Sequence, residues 1–447
     1  MMKEQVDLII KDGIVVSMDS KRSIINKGAV AVKGNKIAAV AESSEIQDKY
    51  SADEILDAKH KAILPGFVDT HTHDLQIFLR GRTWGAPLRI PGWLSLLIPF
   101  ESALTKEEAY LSGLLSCANM IKVGTTCHID HGGQFNAYEV GRAMEKTGVR
   151  AILSRSTIDM GAPDYFATST EDAIKENVKL VEEWNGAAGG RIRAWFSLRQ
   201  IMVCTEELWV KFSELASKYN TGIQTHLSEG MYEVDWALNR WGKRPVEHLY
   251  ETGFLQKNVL IAHAMYLTER EVKMLSERDV KVAHCPAGNL SRTRVPQMLS
   301  EGIAVGLGSD GGARRGLDLF QEMRIAAAVH TAHEIPHYDS APLSDQTLLE
   351  MATINGARVL LLDNEIGSIE VGKKADIIIV DLDKPHILPV GQPVTALTHR
   401  ATGQDVDTAI IDGKIVMKNR KLLTIDEDEL LEKVHELDVA AILKRMR

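Results

Sequence analysis

Two histidines separated by one residue follow a short apolar run near position 70. The segment Leu64-Pro-Gly-Phe-Val-Asp-Thr-His-Thr-His73 contains both His71 and His73. Because side chains two apart in an extended strand point to the same face, we expect the two imidazoles to lie side by side. Such a pair is typical of a metal site, although two solvated histidines at a strand end would give the same pattern.

Later apolar runs also end in histidine or aspartate, and this repetition favours a metal site. The runs over 221–226, 259–263, 280–284 and 303–310 end in His226, His263, His284 and Asp310. Catalytic Zn²⁺ takes imidazole nitrogens and carboxylate oxygens and keeps one position for water. We therefore predict that one divalent metal, Zn²⁺ or a similar ion, is held by His71, His73, His226 and Asp310. Taken singly, His226 would be interpreted as a core histidine and Asp310 as a turn residue.

Glu229 follows His226 by three positions, in His-Leu-Ser-Glu. A carboxylate placed there, outside the ligand set, could move the proton of a metal-activated water. Nearby Glu233 is expected at the surface. His263 and His284 are candidates for orienting the water or the substrate, or for supporting the ligands from behind.

The elements that must position these residues are eight strand–helix units in sequence, which predict a (β/α)₈ TIM-type barrel over 63–363. Active sites of such barrels lie at the carboxyl ends of the strands, where the histidines and aspartates fall. Short β-rich runs separated by Asp-Gly and Gly-Asn turns occupy both chain ends. They predict one small β-sandwich from 1–62 plus 364–425, followed by a packing helix over 426–447.

Composition excludes several classes of function. The formal net charge of −9 argues against a nucleic-acid or anionic-membrane partner. The four cysteines form no Cys-x-x-Cys pair, which favours a reducing, cytoplasmic setting. The N-terminus has no apolar signal core, and the apolar run over 94–100 is too short to span a bilayer. We expect a small heterocyclic substrate and a homo-oligomer.

One glycine-rich motif matches the pattern of a nucleotide-cofactor site, but its position in the chain argues against that function. Gly306-Leu-Gly-Ser-Asp-Gly311 fits the dinucleotide fingerprint, but it closes the series of strands instead of opening it. The segment over 317–332 that follows has a helical pattern and does not lead to the acidic strand end that the fingerprint requires. These glycines are better explained by a tight turn around Asp310.

As a set, these motifs resemble the amidohydrolase superfamily. The resemblance rests on segment 64–73, His226-x-x-Glu229, Ala262-His263, His284-Cys-Pro-x-Gly-Asn289, Gly308-Ser-Asp310 and the tail motif over 367–376. It is to the branch of adenosine, S-adenosylhomocysteine, methylthioadenosine, cytosine and guanine deaminases and s-triazine hydrolases. It implies a mononuclear metal, usually zinc and sometimes iron, on His71, His73, His226 and Asp310. It also implies a proton-shuttling Glu229, a substrate-orienting His263, and an Asp310 that accepts the proton of the attacking water.

Two segments depart from the pattern of that branch. After the fourth strand the chain reads Leu198-Arg-Gln-Ile-Met202 where a His-Ala-Pro-Tyr motif is usual, and Gly311-Gly-Ala-Arg-Arg-Gly316 replaces a Ser-Asn-Asn segment. Either Arg199 and Arg314 bind an anionic group of the substrate, or they lie at the surface. Arg315 is expected at the surface.

The resulting hypothesis is a metal-dependent aminohydrolase that displaces ammonia from an N–C=N carbon of a nitrogen heterocycle. An s-triazine chlorohydrolase or N-alkylaminohydrolase is the alternative, because it would use the same site. A cyclic-amide hydrolase with two metals and a carboxylated lysine is disfavoured, because residues 191–204 contain no lysine. A non-catalytic scaffold would have no reason to keep the ligand set together with Glu229.

Overall fold

The first sixty residues form one half of a sheet that is completed by the far end of the chain. A computed structural model describes residues 3–83, 92–161, 166, 168–288, 293–313, 316–334 and 343–446. The first strands are β1 (Glu4–Val16), β2 (Ile24–Lys33), β3 (Lys36–Glu42), β4 (Tyr50–Asp57) and β5 (Lys61–Pro65), with helix α1 (Ser43–Lys49) before β4. The long β1 pairs antiparallel with β2 and parallel with both β4 and β5.

A closed parallel barrel follows. Its strands are β6 (Phe67–His73), β7 (Thr125–Asp130), β8 (Arg150–Thr157), β9 (Ile192–Leu198), β10 (Ile223–Leu227), β11 (Val259–His263), β12 (Lys281–His284), β13 (Val305–Leu307) and β14 (Asp310–Gly311). The eighth strand is split, since β13 pairs with β12 while β14 pairs with β6. This closure sets Asp310 opposite Thr72, between the two histidines of β6. The predicted (β/α)₈ fold is confirmed.

Helices cover the outside of the barrel and connect its strands. They are α2 (Leu97–Ala103), α3 (Lys106–Lys122), α4 (Ala137–Thr147), α5 (Thr170–Trp184), α6 (Glu206–Lys218), α7 (Met231–Trp241), α8 (Pro245–Glu251), α9 (Glu269–Glu277), α10 (Val295–Ser300), α11 (Leu319–Glu334), α12 (Asp345–Ala352) and α13 (Ile354–Val359). Several begin at a threonine or serine whose hydroxyl accepts a backbone N–H of the first turn, as Thr105 does for α3 and Thr205 for α6. No helix in the described ranges has both the length and the apolar character needed to cross a membrane.

The C-terminal strands complete the first sheet. They are β15 (Ile377–Asp381), β16 (Val406–Ile411), β17 (Lys414–Lys418) and β18 (Lys421–Leu422); α14 (Pro393–His399) precedes β16, and α15 (Glu427–His435) and α16 (Val439–Arg445) end the chain. Because β15 pairs antiparallel with β5, both chain ends join in one nine-stranded sheet. Buried side chains from the two ends, such as Val32 and Ile377, share one core.

A buried ion pair connects the barrel to this sheet. The Arg150 guanidinium, at the start of β8, donates to both carboxylate oxygens of Asp376 at 2.6 and 3.0 Å and to Asp412 at 3.1 Å. Arg150 and Asp376 are almost fully buried. Such a bidentate pair fixes relative orientation, because both donors must be satisfied at once.

Candidate functional site

The four predicted metal ligands meet at the carboxyl ends of the barrel strands. His71 and His73 come from β6, His226 from β10 and Asp310 from β14. The Nε2 atoms of His73 and His226 lie 3.2 Å apart. Asp310 Oδ1 lies 3.7 Å from the Nε2 atoms of both His71 and His73. The imidazoles are almost fully buried, whereas one-quarter of the Asp310 side chain is exposed.

Burial keeps these imidazoles uncharged. It holds the pKa of His73 and of His226 well below the ordinary value, and lowers the pKa of His71 to about 3. His226 Nδ1 lies 2.8 Å from the backbone carbonyl of Arg199, which can only accept, so Nδ1 carries the proton. The lone pair of His226 Nε2 therefore faces His73.

This arrangement fits a divalent cation. Among the described residues, buried His71 Nε2 and His73 Nδ1 have no hydrogen-bond partner. The unpartnered His71 Nε2 lies 3.7 Å from the Asp310 carboxylate, and a cation between them would satisfy both groups. Three imidazoles and one carboxylate are a set of ligands that Zn²⁺ binds. The Arg199 carbonyl orients the His226 ring through the nitrogen that faces away from the metal site, as is usual for histidine ligands.

Two further histidines adjoin the cluster. The His71 ligand atom lies within 4.8 Å of those of His131 and His226, and also of those of His263 and Asp310. The His131 ring centroid is 4.0 Å from that of His226. Sequence reasoning missed His131, although it directly follows β7 and obeys the same strand-end rule as the predicted ligands.

Glu229 lies in the loop after β10, as predicted. Its Oε2 is 4.0 Å from His263 Nε2, and about one-fifth of its side chain is exposed (21%). Removal from bulk water raises the pKa of Glu229 to about 7, with His263 opposing that rise. A carboxyl group with this pKa can both accept and release a proton near neutral pH.

The expectation that Glu233 lies at the surface is wrong. The residue is fully buried in the first turn of α7, where its Oε2 accepts the backbone N–H of Glu229 at 2.9 Å. Its second donor is the Gln200 carboxamide, 3.2 Å away. These two hydrogen bonds partly compensate the burial of the carboxyl. The sequence carries no local signal for Gln200.

Arg199 is buried, so the alternative that it lies at the surface is wrong. Its side chain is 4% exposed and forms an ion pair with equally buried Glu101 at 3.2 Å. Glu101 also accepts from the Gln76 carboxamide at 2.8 Å, and the Trp93 ring lies 5.2 Å from the guanidinium carbon. Glu101 offsets part of the guanidinium charge, but Arg199 Nε has no hydrogen-bond partner among the described residues, so binding of an anionic group by Arg199 stays a prediction. The predictions for Arg314 and Arg315 fall on residues outside the described ranges.

His284 is buried at the end of β12 and turns toward α11. Its Nε2 lies 3.2 Å from His330 Nε2, so one ring must donate to the other. Burial holds the pKa of His284 well below the ordinary value. The structure thus places His284 against a helix that covers the barrel, beside His263 rather than within the ligand set.

Comparisons with known proteins agree with this geometry. The family model described as "Amidohydrolase family" matches residues 62–416. A 5'-deoxyadenosine deaminase of Methanobrevibacter smithii is 36% identical over 436 residues, which cover 96% of this chain and 97% of the relative. A 5-methylthioadenosine/S-adenosylhomocysteine deaminase of Thermoanaerobacter pseudethanolicus is 35% identical over 437 residues, covering 96% and 98%.

Solved structures share the architecture over nearly the whole chain. An adenosine deaminase from Xanthomonas campestris with bound zinc has a TM-score of 0.91 at 27% identity and covers 100% of both chains. An atrazine chlorohydrolase from Arthrobacter aurescens TC1, in complex with zinc, has a TM-score of 0.88 at 21% identity, covering 97% and 100%. The second likeness, at that identity, concerns the fold alone.

Proposed function

Because this chain belongs to the amidohydrolase family, we propose that it is a metal-dependent aminohydrolase with Glu229 as its proton shuttle. The reaction is the release of ammonia from an N–C=N carbon of a nitrogen heterocycle. The observation that carries the proposal is the Glu229 carboxyl, 4.0 Å from His263, beside the cluster of His71, His73 and Asp310. The resemblance inferred from the sequence motifs is confirmed by the family match.

We propose one divalent ion, zinc, on His71, His73, His226 and Asp310. When bound, such an ion would lower the pKa of a coordinated water and, as a Lewis acid, would polarise the substrate at the reacting ring carbon. The remaining work falls to the chain's own residues. His226 is oriented by the Arg199 carbonyl, and Asp310, partly exposed, faces the space where water and substrate meet.

Proton movement is assigned to two carboxylates. Asp310 accepts the proton of the attacking water. Glu229 gives its proton to a ring nitrogen, takes up the remaining proton of the hydroxyl group added to the ring carbon, and passes that proton to the departing amine, because an amide ion is a poor leaving group. The proton held by Asp310 then returns to Glu229, which restores both carboxyl groups. The pKa of Glu229, raised to about 7 by burial, suits a group that alternates between acid and base. His263, within 4.0 Å of Glu229, orients the substrate.

We further propose a purine nucleoside of the type that the relatives' names specify, with an altered 5' position. The Arg199–Glu101 ion pair supports an uncharged ring, because Glu101 offsets part of the positive charge that would attract an anionic group. Arg199, His284 and Arg314 remain proposed substrate contacts. A triazine hydrolase remains the alternative, but loss of chloride would not require the proton that Glu229 can supply.

The test is product release across a substrate panel. Zinc-loaded enzyme is incubated with 5'-deoxyadenosine, methylthioadenosine, S-adenosylhomocysteine, guanine, a pterin, cytosine and two triazines, and ammonia, alkylamine and chloride are quantified. We expect ammonia from at least one aminopurine, abolished by chelation and restored by Zn²⁺. Chloride or alkylamine release from triazines without ammonia from any other compound would replace this proposal with its alternative.

We also propose a cytoplasmic homo-oligomer. All four cysteines are buried, and Cys117, Cys127 and Cys204 are free thiols, as a reducing compartment allows. Light scattering of the purified chain determines the oligomeric state directly.

A further inference from the structure

One carboxamide lies between two glutamates at the edge of the site. Gln200 Nε2 is 3.2 Å from Glu233 Oε2 and 3.4 Å from Glu229 Oε2. Since a carboxamide has two N–H donors, each glutamate can receive one. Glu233 Oε2 also accepts the backbone N–H of Glu229 at 2.9 Å. Glu229 is therefore held at its backbone by Glu233 and at its carboxylate by Gln200.

Two other oxygen atoms of this network need a hydrogen-bond donor. Within the described ranges, Glu233 Oε1 and Gln200 Oε1 are both buried without a hydrogen-bond partner. Two acceptors cannot satisfy each other, and a buried polar atom left without a partner is unfavourable. A proton on Glu233 Oε1 would turn this acceptor into a donor, and a carboxylic acid can then pair with a carboxamide through one O–H···O and one N–H···O bond.

We propose that protonated Glu233 and Gln200 form an acid–amide pair that fixes the Glu229 carboxyl for proton transfer. The inference rests on the proposed role of Glu229 as the proton shuttle. Glu233 does not touch substrate and is a positioning residue. The Glu233 side chain is fully buried, and this burial raises its pKa to about 7, which favours the protonated form below neutral pH.

A purely structural role would give different behaviour. Glu233 lies in the first turn of α7, and glutamate at such a position often accepts a backbone N–H that precedes the helix. If capping were its only role, its loss would lower stability and leave turnover per folded enzyme unchanged. If it positions Glu229, its loss lowers kcat while KM and metal content stay nearly constant.

The test uses four variants of the zinc-loaded full chain, assayed on the best substrate of the panel. E233Q keeps the shape and hydrogen-bonding pattern of a protonated glutamate, whereas E233A removes both. Q200L removes the two donors of the carboxamide. D235A, at an exposed position of the same helix, is the matched control. Metal content and melting temperature are measured for each, so that kcat is expressed per folded, loaded enzyme.

We expect E233A and Q200L to lower kcat by about 10- to 100-fold, the usual cost of losing a group that orients a catalytic residue. KM should change by less than about 2-fold, and E233Q should retain kcat within about 3-fold, as should D235A. If E233A does not fold, comparison of kcat between E233Q and Q200L tests the inference. Full kcat in Q200L, or an E233Q as impaired as E233A or Q200L, overturns the inference.

E229Q is assayed in parallel to separate this inference from the proposed function. If E229Q is fully active, the shuttle assignment itself fails, and the inference fails with it. If E229Q is inactive while E233A and Q200L are as active as the wild type, only the positioning role is overturned.

Discussion

The imidazole Nδ1–H of His226 donates to the backbone carbonyl oxygen of Arg199, 2.8 Å away. The next residue, Gln200, contacts the Glu229 carboxylate through its side chain. One short segment after β9 therefore orients a metal ligand and the proposed proton shuttle together. This is the segment in which the chain departs from the usual pattern of its branch, so the departure concerns the catalytic framework as well as the substrate.

Removing His73 tests the metal site. His73→Ala deletes one of three imidazoles, and we expect most of the zinc to be lost, with activity lost in proportion. Elemental analysis of protein purified without chelator gives the stoichiometry, with H435A, at an exposed position, as the control. Retention of a full equivalent of zinc in the variant would contradict the ligand assignment, and two ions in the wild type would contradict a mononuclear site.

Glu229→Gln tests the shuttle. The change preserves size and removes proton transfer, so kcat should fall by about 10²- to 10⁴-fold, or further because two transfers are involved. Zinc content and melting temperature should stay as in the wild type, since no ligand is removed. The exposed E214Q serves as the matched variant. Loss of zinc from E229Q would make Glu229 a ligand.

The Arg199–Glu101 ion pair should stabilise the fold, because each buried charge compensates the other. R199M leaves Glu101 buried without its cation, and we expect the free energy of unfolding to fall by about 3 kcal/mol. E101Q combined with R199M should recover part of that loss. Urea denaturation of both single variants and the double variant measures the coupling, with the exposed R240M as reference. Strict additivity would show that the two side chains act independently.

Glu233 should make stability depend on pH. Its folded-state pKa, about 7, lies above the ordinary value of 4.5, so the folded chain binds this proton more tightly than the unfolded chain. The resulting stabilisation is fully present below pH 4.5 and is lost as the pH rises through 7. Glu229 is the ionisable neighbour that faces it.

The measurement compares wild type with E233Q, which cannot titrate at this position. Between pH 5 and pH 8, the wild type should lose about 2–3 kcal/mol more unfolding free energy than the variant. Urea titrations at both pH values, with the same zinc content, give the difference. Parallel pH dependence in the two proteins would mean that Glu233 is ionised throughout, which removes the acid–amide pair.

The barrel and the convergence of the proposed ligands were predictable because their signals are local. Apolar runs ending in His226 or Asp310 indicate strand ends, and strand ends of a parallel barrel converge whatever the loops do. The surroundings of the site depend on distant partners. Arg199 is buried only because Glu101, 98 positions away, supplies a compensating charge. The acceptance of the Glu229 N–H by Glu233 is local, but the other donor to this buried carboxyl is Gln200, 33 positions away, and no sequence pattern connects the two.

The joining of β5 to β15 has a consequence for synthesis of the chain. Lys61–Pro65 leaves the ribosome long before Ile377–Asp381, its partner in the sheet. During translation the edge of β5 that pairs with β15 therefore stays unpaired until the entire barrel has been made. A product that stops short of residue 377 would keep that edge unpaired, and open edges invite aggregation. The sheet is therefore completed only in a nearly full-length chain, since its last strands are the last to be made.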